Sequence, residues 1–263
     1  MQSEKIIERI VSWLRDYAGK ARVNGYVIGI SGGVDSAVVS TLCAMTGLDT
    51  LVLELPIRQK KEEVDRALEH ISFLKSKFSN VRSMSVDLTS SFETFLKTIN
   101  IEDGAEVEVE KLALANTRSR FRMLTLYYYG QVNGLLVCGT GNKVEDFGIG
   151  FFTKYGDGGV DVSPIADLYK TEVFQLARDL NLVESIVKAV PTDGLWDQER
   201  TDEQQIGATY KELEEIQKNW QTKTREDYSG RMLEVYDIFS RMNRAAQHKI
   251  NPIPVCDIPE AWR

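Results

Sequence analysis

Two apolar segments of this chain are joined by a turn that reads SGGVDS, at residues 31–36. The first segment, residues 26–30, has the length of a buried strand, and the second, residues 37–45, is apolar enough for a buried helix. A glycine turn that leads from a strand into a helix exposes backbone N–H groups and the positive end of the helix dipole, which together bind anions. The segment therefore predicts a phosphate-binding loop within an α/β fold.

The same alternation of strand and helix patterns continues along the chain and predicts the rest of the fold. Strand candidates lie at residues 26–30, 50–55, 81–86 and 134–138. Helix candidates lie at residues 6–17, 37–45, 62–78, 90–99, 111–132, 170–180, 202–218 and 228–247. Such alternation implies right-handed βαβ units, and hence a Rossmann-like, doubly wound parallel sheet flanked by helices. A length of 263 residues suits a single domain, which we assign to residues 1–263.

Four segments lack the pattern of a buried strand or helix. The segment of residues 139–164 is longer and richer in glycine than a simple connecting loop, so we expect a binding loop there. Residues 190–201 form a second polar loop, residues 102–110 an acidic loop, and the proline-rich residues 250–259 an extended tail. These loops are the expected places for ligand-binding side chains.

Charge and cysteine content exclude several classes of protein. The formal net charge is −7, which disfavours nucleic-acid partners because non-specific binding depends on Lys and Arg. The three cysteines lie far apart and predict neither a zinc site nor a disulfide framework. The N-terminal residues carry charges throughout, and no segment approaches the ~20 apolar residues of a membrane span. We therefore expect a soluble, cytoplasmic protein without a membrane partner.

Asp35 lies inside the predicted phosphate loop, where its carboxylate would repel phosphate unless a metal ion lies between them. Its presence therefore indicates Mg²⁺. The alternative is a tight strand–helix turn in which the aspartate only caps the helix. A Walker loop does not fit because residues 31–36 contain no lysine, and a dinucleotide fingerprint does not fit the spacing of Gly29, Gly32 and Gly33.

The SGGVDS turn resembles the pyrophosphatase loop of the N-type ATP pyrophosphatases, which split ATP between the α and β phosphates. A second segment, GFFTKYGDGGVD at residues 150–161, closely resembles the NAD synthetases of that group. Residues 116–123, 139–140, 191–193 and 248–249 match the same family in order and approximate spacing, so the resemblance covers nearly the whole chain. It implies an adenine nucleotide alpha-hydrolase-like fold and the ATP- and Mg²⁺-dependent amidation of deamido-NAD to NAD through an acyl-adenylate.

The resemblance also implies a role for individual residues. The ATP-binding residues it implies are Gly29, Ile30, Ser31, Gly32, Gly33, Val34, Asp35, Ser36, Thr140, Lys170 and Thr192. The deamido-NAD-binding residues it implies are Arg120, Lys154, Asp161, His248 and Lys249. Asp35 and Glu145 would bind Mg²⁺. Asp35, Lys170 and Asp161 would be catalytic, with Asp161 as the expected acceptor of a proton from ammonia.

Two features of the sequence bear on these assignments. Between Glu145 and residue 150 the chain carries one residue more than the family pattern, so the adjacent Asp146 is an alternative metal ligand. Arg118, Arg120 and Arg122 alternate along a predicted helix, which turns their side chains in different directions and prevents all three from facing one ligand.

The nitrogen source is expected to be free ammonia, because the chain has neither the length nor a plausible cysteine for an amidase domain. A glutaminase partner is the lesser alternative. The family implies a homodimer, and the apolar residues 126–129 suit either an interface or the core. Two rival functions stand beside this one: another N-type synthetase, such as a GMP-forming or tRNA-thiolating ATPase, and a nucleotide-binding module without turnover.

Overall fold

The computed structural model describes residues 1–99, 106–192 and 201–263. Within these residues the strands are β1 (Gly25–Gly29), β2 (Asp49–Glu54), β3 (Val81–Ser85) and β4 (Leu135–Val137). The α-helices are α1 (Ser3–Ala21), α2 (Val34–Met45), α3 (Lys61–Lys77), α4 (Thr89–Thr98), α5 (Val107–Asn133), α6 (Lys170–Asp179), α7 (Glu184–Val187), α8 (Asp202–Ile206), α9 (Tyr210–Asn219) and α10 (Gly230–Ile250). A π-helix spans Lys143–Ile149, and short 3₁₀ helices span Arg225–Asp227 and Glu260–Trp262.

The four described strands form one parallel sheet in the order β3-β2-β1-β4, with helices on both faces. Successive residues of β1 point to opposite faces, as the pleat requires. Tyr26 and Ile28 pack in one apolar cluster with residues of α1, α2, α3 and α6, whereas Val27 packs in a second cluster with residues of α4 and α5. The predicted doubly wound sheet is therefore confirmed.

A third apolar cluster lies beside the sheet and holds the π-helix in place. Val144 and Ile149 of the π-helix pack with Leu213 of α9 and with Val235 and Phe239 of α10. This packing fixes a segment that follows β4 directly and carries two acidic residues. Among the described helices, none combines the length and the apolar composition needed to cross a membrane.

Most predicted elements are found within a few residues of their expected bounds, but the single helix predicted for residues 202–218 is wrong. Gly207 adopts a left-handed backbone (φ 86°) and ends α8. Thr209 then caps α9, accepting a hydrogen bond from the backbone N–H of Glu212. The chain therefore turns between the two helices, and this turn brings Tyr210 to the site described below.

Two further segments differ from the prediction. Helix α5 begins at Val107 instead of residue 111, so residues 107–110 of the predicted acidic loop are helical. Glu108 and Glu110 lie in the first turn, where acidic side chains interact favourably with the positive end of the helix dipole. The π-helix lies inside the segment predicted as an open binding loop, residues 139–164. Residues 102–105 of the predicted acidic loop and residues 193–200 of the second polar loop lie outside the described residues.

His70 of α3 is fully buried against Ser40 of α2, with its Nε2 2.9 Å from Ser40 Oγ. Its Nδ1 has no hydrogen-bond partner among the described residues. Burial lowers the pKa of His70 to about 4. Because the folded pKa is below the ordinary value of about 6.5, the fold accommodates the neutral ring and disfavours the protonated ring.

We therefore expect the free energy of unfolding to fall as the pH drops from about 6.5 towards 4, by about 3 kcal/mol through this residue, and to be insensitive to it above that range. His70→Gln should lose this part of the acid sensitivity. His248→Gln, which changes the exposed second histidine, should keep it. Chemical denaturation at neutral and mildly acidic pH measures the difference, and equal pH sensitivity of wild type and His70→Gln would contradict the assignment.

Candidate active site

The turn between β1 and α2 is ordered by its own hydroxyl groups. Ser31 N–H donates to Ser36 Oγ (3.2 Å), and Gly33 N–H donates to Ser31 Oγ (3.2 Å). The two hydroxyl oxygens lie 3.0 Å apart. No described side chain caps the N-terminus of α2 at Gly33. The start of α2 therefore presents backbone N–H groups and the positive dipole end without a competing protein carboxylate as cap.

Gly32 has a left-handed backbone (φ 81°), and a Cβ at this position would lie 2.6 Å from the backbone oxygen of Glu63. Gly33 has an extended backbone, and a Cβ there would meet only Ser31 Oγ, at 3.3 Å. We expect Gly32→Ala to distort the loop and weaken ATP binding by about tenfold or more, since a displaced loop loses several N–H contacts to phosphate at once. Gly19→Ala on α1 is the control, because a Cβ there meets no atom within 4 Å and Gly19 does not line the cavity. Calorimetric titration with ATP measures both, and equal affinity of the two variants would contradict the special role of Gly32.

Lys170 is nearly fully buried at the start of α6, and its ammonium group lies between two carboxylates. Its Nζ is 2.6 Å from Asp35 Oδ2 and 2.9 Å from Glu145 Oε1. Burial alone lowers the pKa of Lys170, but the charges of Asp35 and Glu145 outweigh burial and hold the pKa above its usual value. Burial raises the pKa of the Glu145 carboxyl, and the charge of Lys170 opposes that shift. The three groups form one charged cluster at the end of the phosphate loop.

Two neutral side chains hold the same carboxylates. Asn142 Nδ2 donates to Glu145 Oε2 (2.6 Å) and to Asp35 Oδ1 (3.2 Å). Tyr210 Oη donates to Glu145 Oε1 and also lies 3.0 Å from Asp202 Oδ2. The ring of Tyr210 is 5.0 Å from the Lys170 ammonium. The cluster is therefore built from side chains of α2, the π-helix with its N-cap, α6 and α9.

The donor set of the cluster fits Mg²⁺. The described residues contain no group of three or more His, Cys, Asp and Glu side chains arranged to hold a metal ion. Mg²⁺ in nucleotide sites needs only one or two carboxylates, because phosphates and water complete its six ligands. Asp35 and Glu145 share both a lysine and an asparagine, so their carboxylates converge on one point.

Asp146, the alternative metal ligand, faces another direction. Its carboxylate lies against Gly141, where a Cβ would be 1.9 Å from Asp146 Oδ2. Burial and the nearby carboxylates of Asp157 and Glu145 raise the pKa of Asp146 well above its usual value. The π-helix holds one residue more per turn than an α-helix, which accommodates the additional residue after Glu145, and it is Glu145 that contacts Lys170. The geometry therefore favours Glu145.

A cavity of about 270 Å³ opens beside this cluster, at the carboxyl ends of β1, β2 and β4. Ligands in open α/β sheets bind at such an edge. The sequence-derived ATP-binding residues in its wall are Gly29, Ile30, Ser31, Gly32, Gly33, Val34, Asp35, Thr140, Lys170 and Thr192. Ser36 lies behind the wall and supports the loop through Ser31. The structure thus brings together residues that are far apart in sequence.

The residues assigned to deamido-NAD do not line this cavity. Three of them meet at the segment that follows the π-helix: Arg120 Nε donates to Lys154 O (3.3 Å), and Lys154 Nζ donates to His248 O (2.5 Å). Lys249 Nζ donates to Phe152 O (2.7 Å) in the same region. Asp161 is separate, because its carboxylate accepts hydrogen bonds from Val137 N–H (2.8 Å) and Tyr127 Oη (3.1 Å).

The predicted divergence of the three arginines of α5 is confirmed. Arg118 is buried over the ring of Phe92, and Arg120 reaches Lys154. Arg122 lines the cavity and donates to Leu55 O (3.1 Å). Sequence patterns alone therefore missed Arg122 as a cavity residue. They also missed Asn142, Tyr210 and Asp157. Asn142 could have been found, because asparagine is a common helix N-cap and this one precedes the π-helix.

A parallel sheet with a phosphate loop after its first strand, and with a lysine–carboxylate cluster at the end of that loop, defines an α/β nucleotide-binding protein. Comparison with known proteins narrows this class. Residues 6–252 match the family described as NAD synthase. The NH(3)-dependent NAD(+) synthetase of Carboxydothermus hydrogenoformans is 38% identical over 247 residues, which are 94% of this chain and 94% of that protein. This chain belongs to the NAD synthase family.

Solved structures agree with this assignment. NMN synthetase from Francisella tularensis has a TM-score of 0.82 at 28% identity, and the match covers 99% of each chain. NH3-dependent NAD synthetase from Campylobacter jejuni, solved with nitrate ion, has a TM-score of 0.77 at 25% identity, and the match covers 98% of this chain and 100% of that one. The adenine nucleotide alpha-hydrolase-like fold implied by the sequence is confirmed.

Proposed function

We propose that this enzyme amidates deamido-NAD with ammonia and ATP, giving NAD, AMP and pyrophosphate. A nicotinate carboxylate oxygen attacks the α-phosphorus of ATP, and the bond from that phosphorus to the bridging oxygen breaks. Ammonia then attacks the activated carbonyl carbon, loses a proton, and expels AMP. The observation that carries this proposal is the Lys170–Asp35–Glu145 cluster beside the phosphate loop, in a chain that matches NAD synthetases over nearly its whole length.

The residues of the cluster have distinct proposed roles. The N–H groups at residues 31–36 bind the phosphates, and Lys170 neutralises charge on the departing pyrophosphate. Asp35 and Glu145 would hold Mg²⁺, which supplies Lewis-acid stabilisation of phosphate charge when bound. Preorganised groups of this kind are typically worth ~10²–10³ in rate each, because charge develops next to them in the transition state.

The proton released by ammonia needs an acceptor near the reacting carbonyl. Asp161 was the candidate from the sequence, but its carboxylate lies outside the cavity wall and is bonded to Val137 and Tyr127. Asp157 lies in the wall and accepts hydrogen bonds from Ser119 Oγ (2.7 Å) and Thr153 N–H (3.0 Å). We therefore propose Asp157, as an alternative to Asp161, as the acceptor of the proton from ammonia. The group around Lys154, His248 and Lys249 remains the proposed site of the dinucleotide.

A second candidate substrate is nicotinate mononucleotide. The structure of NMN synthetase from Francisella tularensis aligns with 99% of this chain at a TM-score of 0.82, against 0.77 for the NAD synthetase from Campylobacter jejuni. Both reactions amidate a nicotinate carboxylate, and they differ in whether the substrate carries an adenylate half. The chemistry proposed for the cavity is the same in both cases.

A product assay separates these functions. The protein is incubated with ATP, Mg²⁺ and ammonium, and with either deamido-NAD or nicotinate mononucleotide. We expect NAD, AMP and pyrophosphate in equal amounts with deamido-NAD, and at least about tenfold lower kcat/KM with the mononucleotide, since it lacks the contacts of the adenylate half. Faster turnover of the mononucleotide would establish the second candidate. Binding of ATP with no AMP formed from either acid would overturn both.

The proposed assembly rests on the family resemblance and on an exposed apolar face of α5. Leu124, Tyr128 and Val132 are each more than 60% exposed and lie one turn apart along one face of the helix. We propose that this face packs against a second copy of the chain in a homodimer, with residues 1–263 of each copy acting as one domain. Tyr128→Arg should then lower the mass measured by sedimentation equilibrium, whereas Leu68→Arg on α3 should not. A wild-type monomer would exclude the dimer. A cytoplasmic location remains a prediction.

A further inference from the structure

Asn142 is fully buried between β4 and the π-helix, and both ends of its amide are hydrogen-bonded. Its nitrogen donates to Asp35 Oδ1 (3.2 Å) and to Glu145 Oε2 (2.6 Å). Its oxygen accepts the backbone N–H of Glu145 (3.2 Å) and so caps the π-helix. One side chain therefore contacts both proposed metal ligands and the segment that carries the second of them.

The orientation of this amide follows from the chemistry of its neighbours. A backbone N–H only donates hydrogen bonds, so the amide oxygen must face the N–H of Glu145, and the nitrogen is left to face the two carboxylates. An amide nitrogen has two hydrogens, one for each carboxylate. The remaining oxygens, Asp35 Oδ2 and Glu145 Oε1, are the ones that reach Lys170. Asn142 thus leaves one oxygen of each carboxylate directed at a single cation.

We propose that Asn142 is a positioning residue for the Mg²⁺ site, an inference that rests on the proposed function of this cluster. Two carboxylates held this close in a partly buried site repel each other when both are charged, and they rotate apart unless something holds them. The amide offsets part of this repulsion and fixes the rotation of both carboxylates. Outer partners of this kind typically change metal affinity by ~10–100-fold when they are removed.

The capping role of Asn142 can be separated from its positioning role. A cap needs only an acceptor for the N–H of Glu145, and serine supplies it about as well as asparagine. Serine cannot donate to two carboxylates at once, because it has one hydroxyl hydrogen. Asn142→Ser therefore keeps the cap and removes the bridge. If the serine variant does not fold, Asn142→Thr replaces it in the test, because threonine also caps the helix and fills more of the space.

Asn243 of α10 provides a matched control, because it contacts the opposite end of the same π-helix. Its Nδ2 donates to Gly148 O (2.6 Å) and ties the far end of that helix to α10, without contact to either carboxylate. Asn243→Ser therefore reports what general loosening of the π-helix does. Any effect specific to Asn142 must exceed the effect of this control.

The test uses Mn²⁺ as a spectroscopic probe together with α,β-methylene-ATP, which the enzyme cannot cleave. Paramagnetic resonance measures free Mn²⁺ and gives the dissociation constant. We expect Asn142→Ser to weaken Mn²⁺ binding by about tenfold and Asn243→Ser by less than about twofold. In turnover, Asn142→Ser should need about tenfold more Mg²⁺ for its half-maximal rate and should regain most of its kcat at saturating Mg²⁺.

Unchanged Mn²⁺ affinity in Asn142→Ser, or an equal loss in Asn243→Ser, would overturn the proposal. So would the absence of nucleotide-dependent Mn²⁺ binding in the wild type. Failure of the proposed function has a different signature, because a wild type that forms neither NAD nor AMP can still show the difference in Mn²⁺ affinity. That combination would keep Asn142 as a positioning residue of a metal–nucleotide site with another reaction.

Discussion

Asp35→Asn is expected to lower kcat/KM for NAD formation by about a thousandfold while the fold remains intact. The amide keeps the size of the carboxylate but loses its charge, so it binds a metal ion poorly and no longer attracts Lys170. Glu145 still holds Lys170 at 2.9 Å, which is why stability should change little. Steady-state kinetics with a thermal melt measures both quantities.

Glu145→Gln and Asp146→Asn are the paired controls for this result. We expect Glu145→Gln to lose activity on the scale of Asp35→Asn, and Asp146→Asn to stay within about fivefold of wild type, since each well-aimed charge is typically worth ~10²–10³ in rate and Asp146 faces Gly141 instead of Lys170. The reverse order would move the metal ligand to Asp146. Near-normal turnover of Asp35→Asn would remove the metal role altogether.

Lys170→Met is the second substitution with a large expected effect. Methionine fills a similar volume without charge, so two partly buried carboxylates lose their shared, nearly fully buried cation. Removing one partner from a buried ion cluster typically costs about 3–5 kcal/mol of stability, because the remaining charges are left uncompensated. Activity should also fall by about a hundredfold or more, since Lys170 is the charge proposed to stabilise the departing pyrophosphate.

A divalent cation separates the two consequences of Lys170→Met. Asp35 and Glu145 would hold Mg²⁺, which would supply the positive charge that the variant lacks, so Mg²⁺ should raise the melting temperature of the variant more than that of wild type. Lys143→Met is the control, because its ammonium pairs with exposed Asp167 at 2.7 Å. A melting temperature of Lys170→Met equal to that of wild type would show that the cluster does not depend on the lysine.

Local patterns in the sequence predicted the framework of this enzyme well. The sheet, the turn from β1 into α2 and the start of α6 at Lys170 each depend on a short run of residues, so their positions follow from periodicity and glycine content. The turn itself points to Asp35 as a metal ligand and the family resemblance adds Lys170, and the structure brings the two side chains to 2.6 Å. A short sequence segment specifies its own local conformation. The parallel sheet then brings segments that are distant in sequence to the same edge.

Contacts between distant segments were not predictable in the same way. Tyr210 reaches Glu145 across 65 positions of the chain because Gly207 ends α8 and the chain turns there. Its apolar ring has the pattern of an ordinary core residue in the sequence. The π-helix was missed because its extra residue breaks the 3.6-residue period on which helix prediction depends. Both features depend on tertiary packing around α9 and α10.

Attack of the nicotinate carboxylate on the α-phosphorus of ATP is the central step of the proposed reaction, and an isotope measurement tests it directly. Deamido-NAD labelled with ¹⁸O in the nicotinate carboxylate is converted with ATP and ammonium, and the products are analysed by mass spectrometry. We predict one ¹⁸O in the phosphate of AMP and none in pyrophosphate. Label in orthophosphate with formation of ADP, or AMP without label, would contradict adenylation as the activating step.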